Sequence, residues 1–177
     1  MSGLERPPSV VGPAEGWDLL WRSRPGGHGL TQRFGKQLAE HVEPGDVILL
    51  EGPLGAGKTF MTRAICDGLG IVDGVSSPSY ALVHTYPGPA LSVAHVDLYR
   101  LERSDDELES IGFRDLLDGR TLVIVEWPDR APWLAEVATM HVFFEDVGPD
   151  SRRLTLSVPA PHVAMLAPLR HALLGTQ

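Results

Sequence analysis

Residues 52–59 read Gly-Pro-Leu-Gly-Ala-Gly-Lys-Thr, a complete G-x-x-x-x-G-K-T pattern. Such a loop holds a polyphosphate by aiming backbone N–H groups inward as a nest. Gly52, Gly55 and Gly57 allow the close curl that this needs. A helix starting near Lys58 adds its unpaired first-turn N–H groups and the positive end of its dipole. The lysine is placed to reach the β- and γ-phosphates, and the Thr59 hydroxyl to ligate Mg²⁺. Gly52, Gly55, Ala56, Gly57, Lys58 and Thr59 are therefore the expected cofactor-binding residues for a nucleoside triphosphate, with Lys58 also catalytic and Thr59 on the metal. A glycine turn that only linked a strand to a helix would have no use for Lys-Thr at these two places.

Hydrolysis needs a second acidic strand end for the metal and the attacking water. Two are available, His95-Val96-Asp97-Leu98 and Val125-Glu126-Trp127-Pro128. Ligands of open α/β sheets lie beyond the carboxyl ends of strands, so both carboxylates can face the phosphates. Asp97 is then a candidate for the metal shell or for positioning water, and Glu126 resembles the acidic residue after a second nucleotide-binding strand. A lone Asp at a strand end can equally cap a turn. The acidic run Asp105, Asp106, Glu107 and Glu109 is most simply a solvated helix start.

The elements that must position these groups follow from local pattern. Val47-Ile48-Leu49-Leu50 reads as a buried strand, and Met61, Ala64, Ile65 and Leu69 give the next helix one apolar face. Gly68 and Gly70 mark its end. Cys66, the one cysteine, reads as a small buried apolar residue on that helix. Before the loop, Trp17 to Trp21 predicts a strand; Leu30, Phe34, Leu38 and His41-Val42 predict a helix. After it, strands are predicted over Tyr80–Tyr86 and Leu91–Leu98, joined by a turn at Pro87-Gly88-Pro89. Ser104 and Glu107 form a capping box for a helix whose core face is Leu108, Ile111 and Leu116 or Leu117. Thr121–Val125 predicts a strand buried on both faces. His141–Phe144 and Leu154–Val158 predict two more around Gly148-Pro149-Asp150, and Val163–Leu174 a closing helix interrupted by Pro168. These elements define an α/β fold: a three-layer P-loop nucleotide-binding domain whose central sheet is largely parallel, with antiparallel strands at the margins.

Length and composition set the frame. The 177 residues suit one domain, expected over 16–177, after a Pro- and Gly-rich tail at 1–15. No apolar run is long enough to span a membrane, and the start lacks a secretory pattern. The single cysteine fits a reducing cytoplasm. Fifteen basic against 23 acidic residues give a net charge of −8, which argues against broad autonomous nucleic-acid binding.

Four motifs occur together in order: the loop, Ser77-Pro78-Ser79-Tyr80, His95-x-Asp97-Leu98-Tyr99-Arg100-Leu101, and Glu126-Trp127-Pro128. In this the chain resembles the TsaE (YjeE) family, the bacterial ATPase subunit of the machinery that makes threonylcarbamoyladenosine in tRNA. The likeness runs from about Leu30 to Val158. It implies a cytoplasmic Mg²⁺-dependent ATPase, slow on its own. The implied partners are TsaD and TsaB, whose threonylcarbamoyl transfer it regulates or resets; it meets tRNA only through that complex. Carried over, Thr59 and Glu126 serve the metal, and Asp97 and Glu126 support hydrolysis. Thr31 lies near the nucleotide, Ser77 to Tyr80 forms a switch-like loop, and Trp127 is an aromatic beside the glutamate that could equally cover the sheet edge. The chain departs from the family at Pro53, where Asp is usual, and at Phe60, where a second Thr is common. The alternatives are a stand-alone small-molecule kinase on a P-loop scaffold and an ATP-dependent switch without turnover.

Overall fold

The order of strands in the sheet decides which chain segments meet at the phosphate loop. The computed structural model of the chain describes residues 16–72, 74–78, 81–101, 108–109 and 112–175. The expected tail at 1–15, the capping box at Ser104 and Glu107, and Ser79, Tyr80 and Ile111 lie outside the described residues. Seven strands form one sheet: β1 (Trp17–Arg22), β2 (Val47–Glu51), β3 (Val83–Tyr86), β4 (Val93–Asp97), β5 (Leu122–Glu126), β6 (Met140–Gly148) and β7 (Ser151–Pro159). Their spatial order is β1-β7-β6-β2-β5-β4-β3. The central neighbours β6, β2, β5 and β4 pair in parallel, while β3, β7 and β1 add antiparallel margins.

Alternation along the strands sorts the apolar residues onto two faces. Ile48, Leu50, Leu122, Ile124 and Val93 join Phe34, Met61 and Ile65 in one core. It lies under α1 (His28–Ala39), α2 (Lys58–Gly68) and α4 (Ala167–Leu174). Val47, Leu49, Val123, Val125 and Val96 join Phe113 and Leu134 on the other face, covered by the single-turn α3 (Phe113–Leu116) and the 3-10 turns Pro128–Arg130 and Pro132–Glu136. With both faces covered, every residue of β2 and β5 is buried. Each large apolar side chain so buried contributes about 1.5–3 kcal/mol.

Several boundaries differ from the sequence reading. The apolar stripe of α1 ends at Ala39, so His41 and Val42 follow the helix rather than complete it. β3 starts at Val83, three residues later than expected, because Leu82 takes a left-handed φ of 57° that no strand continues through. Pro168 does not interrupt the last helix. It sits in the first turn of α4, where its missing N–H costs no helical bond. Phe113, absent from the expected core face, is fully buried, Leu108 is buried as expected, and Leu116 and Leu117 pack only partly against that cluster. Cys66 is fully buried on α2, and burial pushes its thiol up to about 12, so it is inert as a nucleophile.

Helix α1 packs on α2 through a glycine. A Cβ on Gly35 would lie 2.6 Å from Ala64 Cβ and 3.2 Å from the Met61 carbonyl oxygen. Helix propensity alone favours a larger residue there by up to ~1 kcal/mol. Gly35→Leu is nevertheless expected to destabilise the chain by about 1–3 kcal/mol through overpacking, read as a lower urea midpoint. An unchanged or higher midpoint would show that the helices can separate at no cost.

Candidate phosphate and metal site

Gly52 to Thr59 leaves β2 at its carboxyl end and enters α2. Gly57 is the residue before the helix and has φ of 101°, a conformation open to glycine at little cost. No side chain caps α2, so its first N–H groups stay directed at the loop's hollow.

Lys58 folds back over this loop. Its Nζ donates to the carbonyl oxygens of Gly52 and Pro53, each at 2.8 Å, and lies 3.8 Å from the centre of the Trp127 ring. The departure at Pro53 is harmless to this contact, which uses the proline carbonyl and not an N–H. Burial holds the Lys58 ammonium below its usual range, partly offset by the negative charge of Glu126, Asp97, Asp129 and Glu51. Trp127 adopts a left-handed φ of 61° immediately after β5. This bend brings its indole beside Lys58, with the Tyr99 ring 5.0 Å away.

Strand parity directs the acidic groups to the same place. Glu126 shares a face with Leu122 and Ile124, and Asp97 and His95 share one with Val93, which is the face carrying α2. β4 and β5 pair so that Asp97 stands directly beside Glu126. Thr59 Oγ1 donates to Glu126 Oε1 at 2.8 Å, joining residues 67 positions apart. Asp97 Oδ2 accepts from Ser77 Oγ at 2.8 Å, and its Oδ1 accepts from the Tyr99 N–H at 3.0 Å. Asp97 therefore caps a turn, as the simpler reading allowed, and also ties the Ser77 segment to the site.

The group that sequence reasoning missed is His95. It is fully buried, and its Nε2 lies 2.8 Å from the same Glu126 oxygen that Thr59 contacts. Its Nδ1 is buried with no partner. An unpaired lone pair at Nδ1 costs less than an unpaired buried N–H, so Nε2 carries the proton and donates it to Glu126. The available signal was a single imidazole in the otherwise apolar run Val93-Ala94-His95-Val96, two residues before Asp97.

Gly55, Gly57, Lys58, Thr59, Asp97 and Glu126 line one cleft of ≈370 Å³ together with Ser77, Trp127 and Phe60. Phe60 also meets the His28 ring edge-on at 5.3 Å. Ala56 faces a different cleft on the other side of the loop. Gly52 borders a third, with Glu51, whose carboxylate accepts from His141 Nε2 at 2.9 Å on the opposite face of the sheet. Thr31 is fully buried in the first turn of α1; it lines none of these clefts, and its hydroxyl has no hydrogen-bond partner. Among the described residues no group of three or more His, Cys, Asp or Glu is placed to hold a metal. A hydroxyl and one carboxylate oxygen 2.8 Å apart are instead the sparse, hard donor set with which proteins hold Mg²⁺ against phosphate and water. No helix among the described residues is long and apolar enough to cross a membrane.

The chain is similar in sequence and fold to known proteins. The family model for threonylcarbamoyl adenosine biosynthesis protein TsaE matches residues 28–154, from the first residue of α1 into β7. The tRNA threonylcarbamoyladenosine biosynthesis protein TsaE of Bacillus subtilis (strain 168) is 33% identical over 136 residues, covering 77% of this chain and 84% of the relative. Its counterpart of the same name in Haemophilus influenzae is 36% identical over 129 residues, covering 70% and 80%. The crystal structure of Bacillus subtilis YdiB superposes with a TM-score of 0.66 at 27% identity, over 85% of this chain and 92% of that one. With most of its length matched, phosphate loop and both acidic strand ends included, the chain belongs to the TsaE family.

Proposed function

We propose that this chain is a Mg²⁺-dependent ATP-binding subunit with slow ATPase activity that serves the formation of threonylcarbamoyladenosine in tRNA. It does so by regulating or resetting the TsaD–TsaB threonylcarbamoyl transferase. The observation that carries the ATPase reading is the Thr59–Glu126 hydrogen bond, which brings the end of the phosphate loop onto a second strand's carboxylate. Family membership carries the connection to tRNA modification.

Each residue's part follows from its position. The N–H groups of the loop and of the first turn of α2 bind the phosphates. Lys58 exchanges its two carbonyl partners for phosphate oxygens, with Trp127 limiting its sideways movement. Thr59 Oγ1 and Glu126 hold Mg²⁺, and His95 keeps the Glu126 carboxylate turned toward Thr59. Bound Mg²⁺ supplies charge neutralisation between the phosphates. Asp97 orients water at the outer side of the site, and through Ser77 it registers any movement of the 77–78 segment.

The deciding experiment measures ATP turnover by the chain alone and with TsaD–TsaB, with and without tRNA. Slow turnover alone and a changed rate with the pair are expected. No association with TsaD–TsaB in the presence of ATP would sink the proposal. Stoichiometric phosphate transfer to a metabolite would favour the kinase instead, and ATP affinity without phosphate release under any condition would favour the switch.

A further inference from the structure

A carboxylate beside the phosphate loop leaves one of its oxygens unused. Glu51 is the last residue of β2, immediately before Gly52. Side chains alternate along a strand, so Glu51 shares the face of Val47 and Leu49, opposite α1 and α2. β6 pairs His141 with Leu49 and Phe143 with Glu51, which puts His141, Phe143 and Glu145 on that face as well. Glu51 is 4% exposed. Its Oε2 accepts from His141 Nε2 at 2.9 Å, whereas its Oε1 is buried with no hydrogen-bond partner. Buried carboxylate oxygens are normally paired, so a donor is missing here.

The surroundings of Glu51 select the kind of donor. A cleft of ≈330 Å³ opens on this side of the loop, walled by Pro53, Trp127 and Phe143 and carrying Asp129, Glu145 and Asp146 beside Glu51. Among the described residues no lysine or arginine lines it. Glu145 is already matched by Arg22 at 3.1 Å and Arg153 at 2.9 Å. Asp129 meets Arg130 only at 3.9 Å, and Asp146 accepts from the Gly148 N–H at 3.1 Å. Glu51, Asp129 and Asp146 therefore make the cleft negative. An anion is repelled there, and an apolar group leaves Oε1 unpaired. A cation satisfies both the charge and the buried oxygen.

Aromatic walls narrow the choice further. A guanidinium is planar, is weakly hydrated, and can stack on an indole or phenyl ring while its edge donates to a carboxylate. The volume lies near the lower end of the roughly 300–1,000 Å³ of small-molecule sites, which suits one long side chain. Asp146 is exposed at the rim, and the chain carries a net charge of −8, so a basic protein surface is the complementary one.

We infer that this cleft receives an arginine side chain of a partner protein, with Glu51 Oε1 as its buried acceptor and Trp127 and Phe143 as its walls. Gly52 and Pro53 border the cleft, and their carbonyl oxygens hold the Lys58 ammonium. Trp127 borders both this cleft and the one containing Thr59 and Glu126. A partner docked here thus touches the start of the phosphate loop from the sheet face opposite α2.

The test is a nuclear magnetic resonance titration of the isotope-labelled full chain with the capped peptide acetyl-Gly-Arg-Gly-amide. The matching citrulline peptide, equal in shape but uncharged, and the free amine agmatine serve as comparisons. The arginine peptide should shift the amides of Glu51, Gly52 and Phe143 and saturate in the millimolar range expected of a single side chain. The citrulline peptide should bind at least about 10-fold more weakly, as should the arginine peptide to Glu51→Gln, the loss of one charge-assisted contact. Asp146→Lys, at an exposed position, should weaken the arginine peptide as well, and it carries the test if Glu51→Gln does not fold. No saturable shift, equal binding of the two peptides, or unchanged affinity in the folded variants overturns the inference. Agmatine binding at least about 10-fold tighter than the arginine peptide makes the cleft a small-amine site and overturns the partner assignment.

Discussion

Lys58→Ala is expected to lower ATP affinity by at least about 100-fold while leaving the chain folded. Two charge-assisted bonds to phosphate are worth about 1.5–3 kcal/mol each, and removing both exceeds the 2.8 kcal/mol, roughly, that a 100-fold change requires. The loop itself should survive, because the ammonium's present partners are two carbonyl oxygens at the loop's edge that water can satisfy. Titration with ATP and circular dichroism of the same sample separate the two effects. Wild-type affinity in this variant would remove the loop lysine from the site.

The same side chain sets a pH dependence. Burial lowers the Lys58 pKa in the free chain from 10.5, whereas phosphates beside it favour the charged form and raise it. The bound state therefore holds more protons than the free state, so binding takes up protons and affinity falls as pH rises through the free-state pKa. That fall should begin at a pH below the ordinary lysine value and disappear in Lys58→Ala.

Glu126→Gln is expected to reduce Mg²⁺-dependent hydrolysis by about 100-fold or more, with a much smaller effect on ATP binding. The amide keeps the size of the carboxylate but removes its charge. Its oxygen can still accept from Thr59 or His95, which both use one oxygen of Glu126. The expected signature is a raised Mg²⁺ requirement together with lost turnover. Unimpaired hydrolysis with normal Mg²⁺ dependence would place the catalytic carboxylate elsewhere, with Asp97 the first alternative. Because His95 acts on Glu126 from a fully buried position, its replacement should shift the Mg²⁺ requirement in the same direction.

Local chemistry was legible in the sequence because it depends on neighbours in the chain. The glycine loop, the buried strands expected at Val47–Leu50 and Thr121–Val125, and α2 each follow from adjacent residues and their period. The parallel centre with antiparallel margins followed as well, since a loop between strand and helix builds parallel pairs and short Pro-Gly turns build hairpins. Asp97 and Glu126 could be nominated as strand ends. Their being side by side could not, because strand order is set by which faces bury together across the whole sheet.

What the sequence alone determined is that residues 52–59 carry the G-x-x-x-x-G-K-T pattern between a strand and a helix and that the chain carries the motifs of the TsaE family. The tertiary structure decided what surrounds that loop. It set Glu126 against Thr59 across 67 positions, laid Trp127 beside Lys58, and put a buried histidine behind the carboxylate. It also brought Arg152 of β7, two strands from β2 on the same face of the sheet, to Gly57, and it buried Thr31 in the first turn of α1, outside the clefts. Alternation along a strand fixes which face a side chain takes, but only packing the sheet against its helices decides which side chains of distant strands share that face.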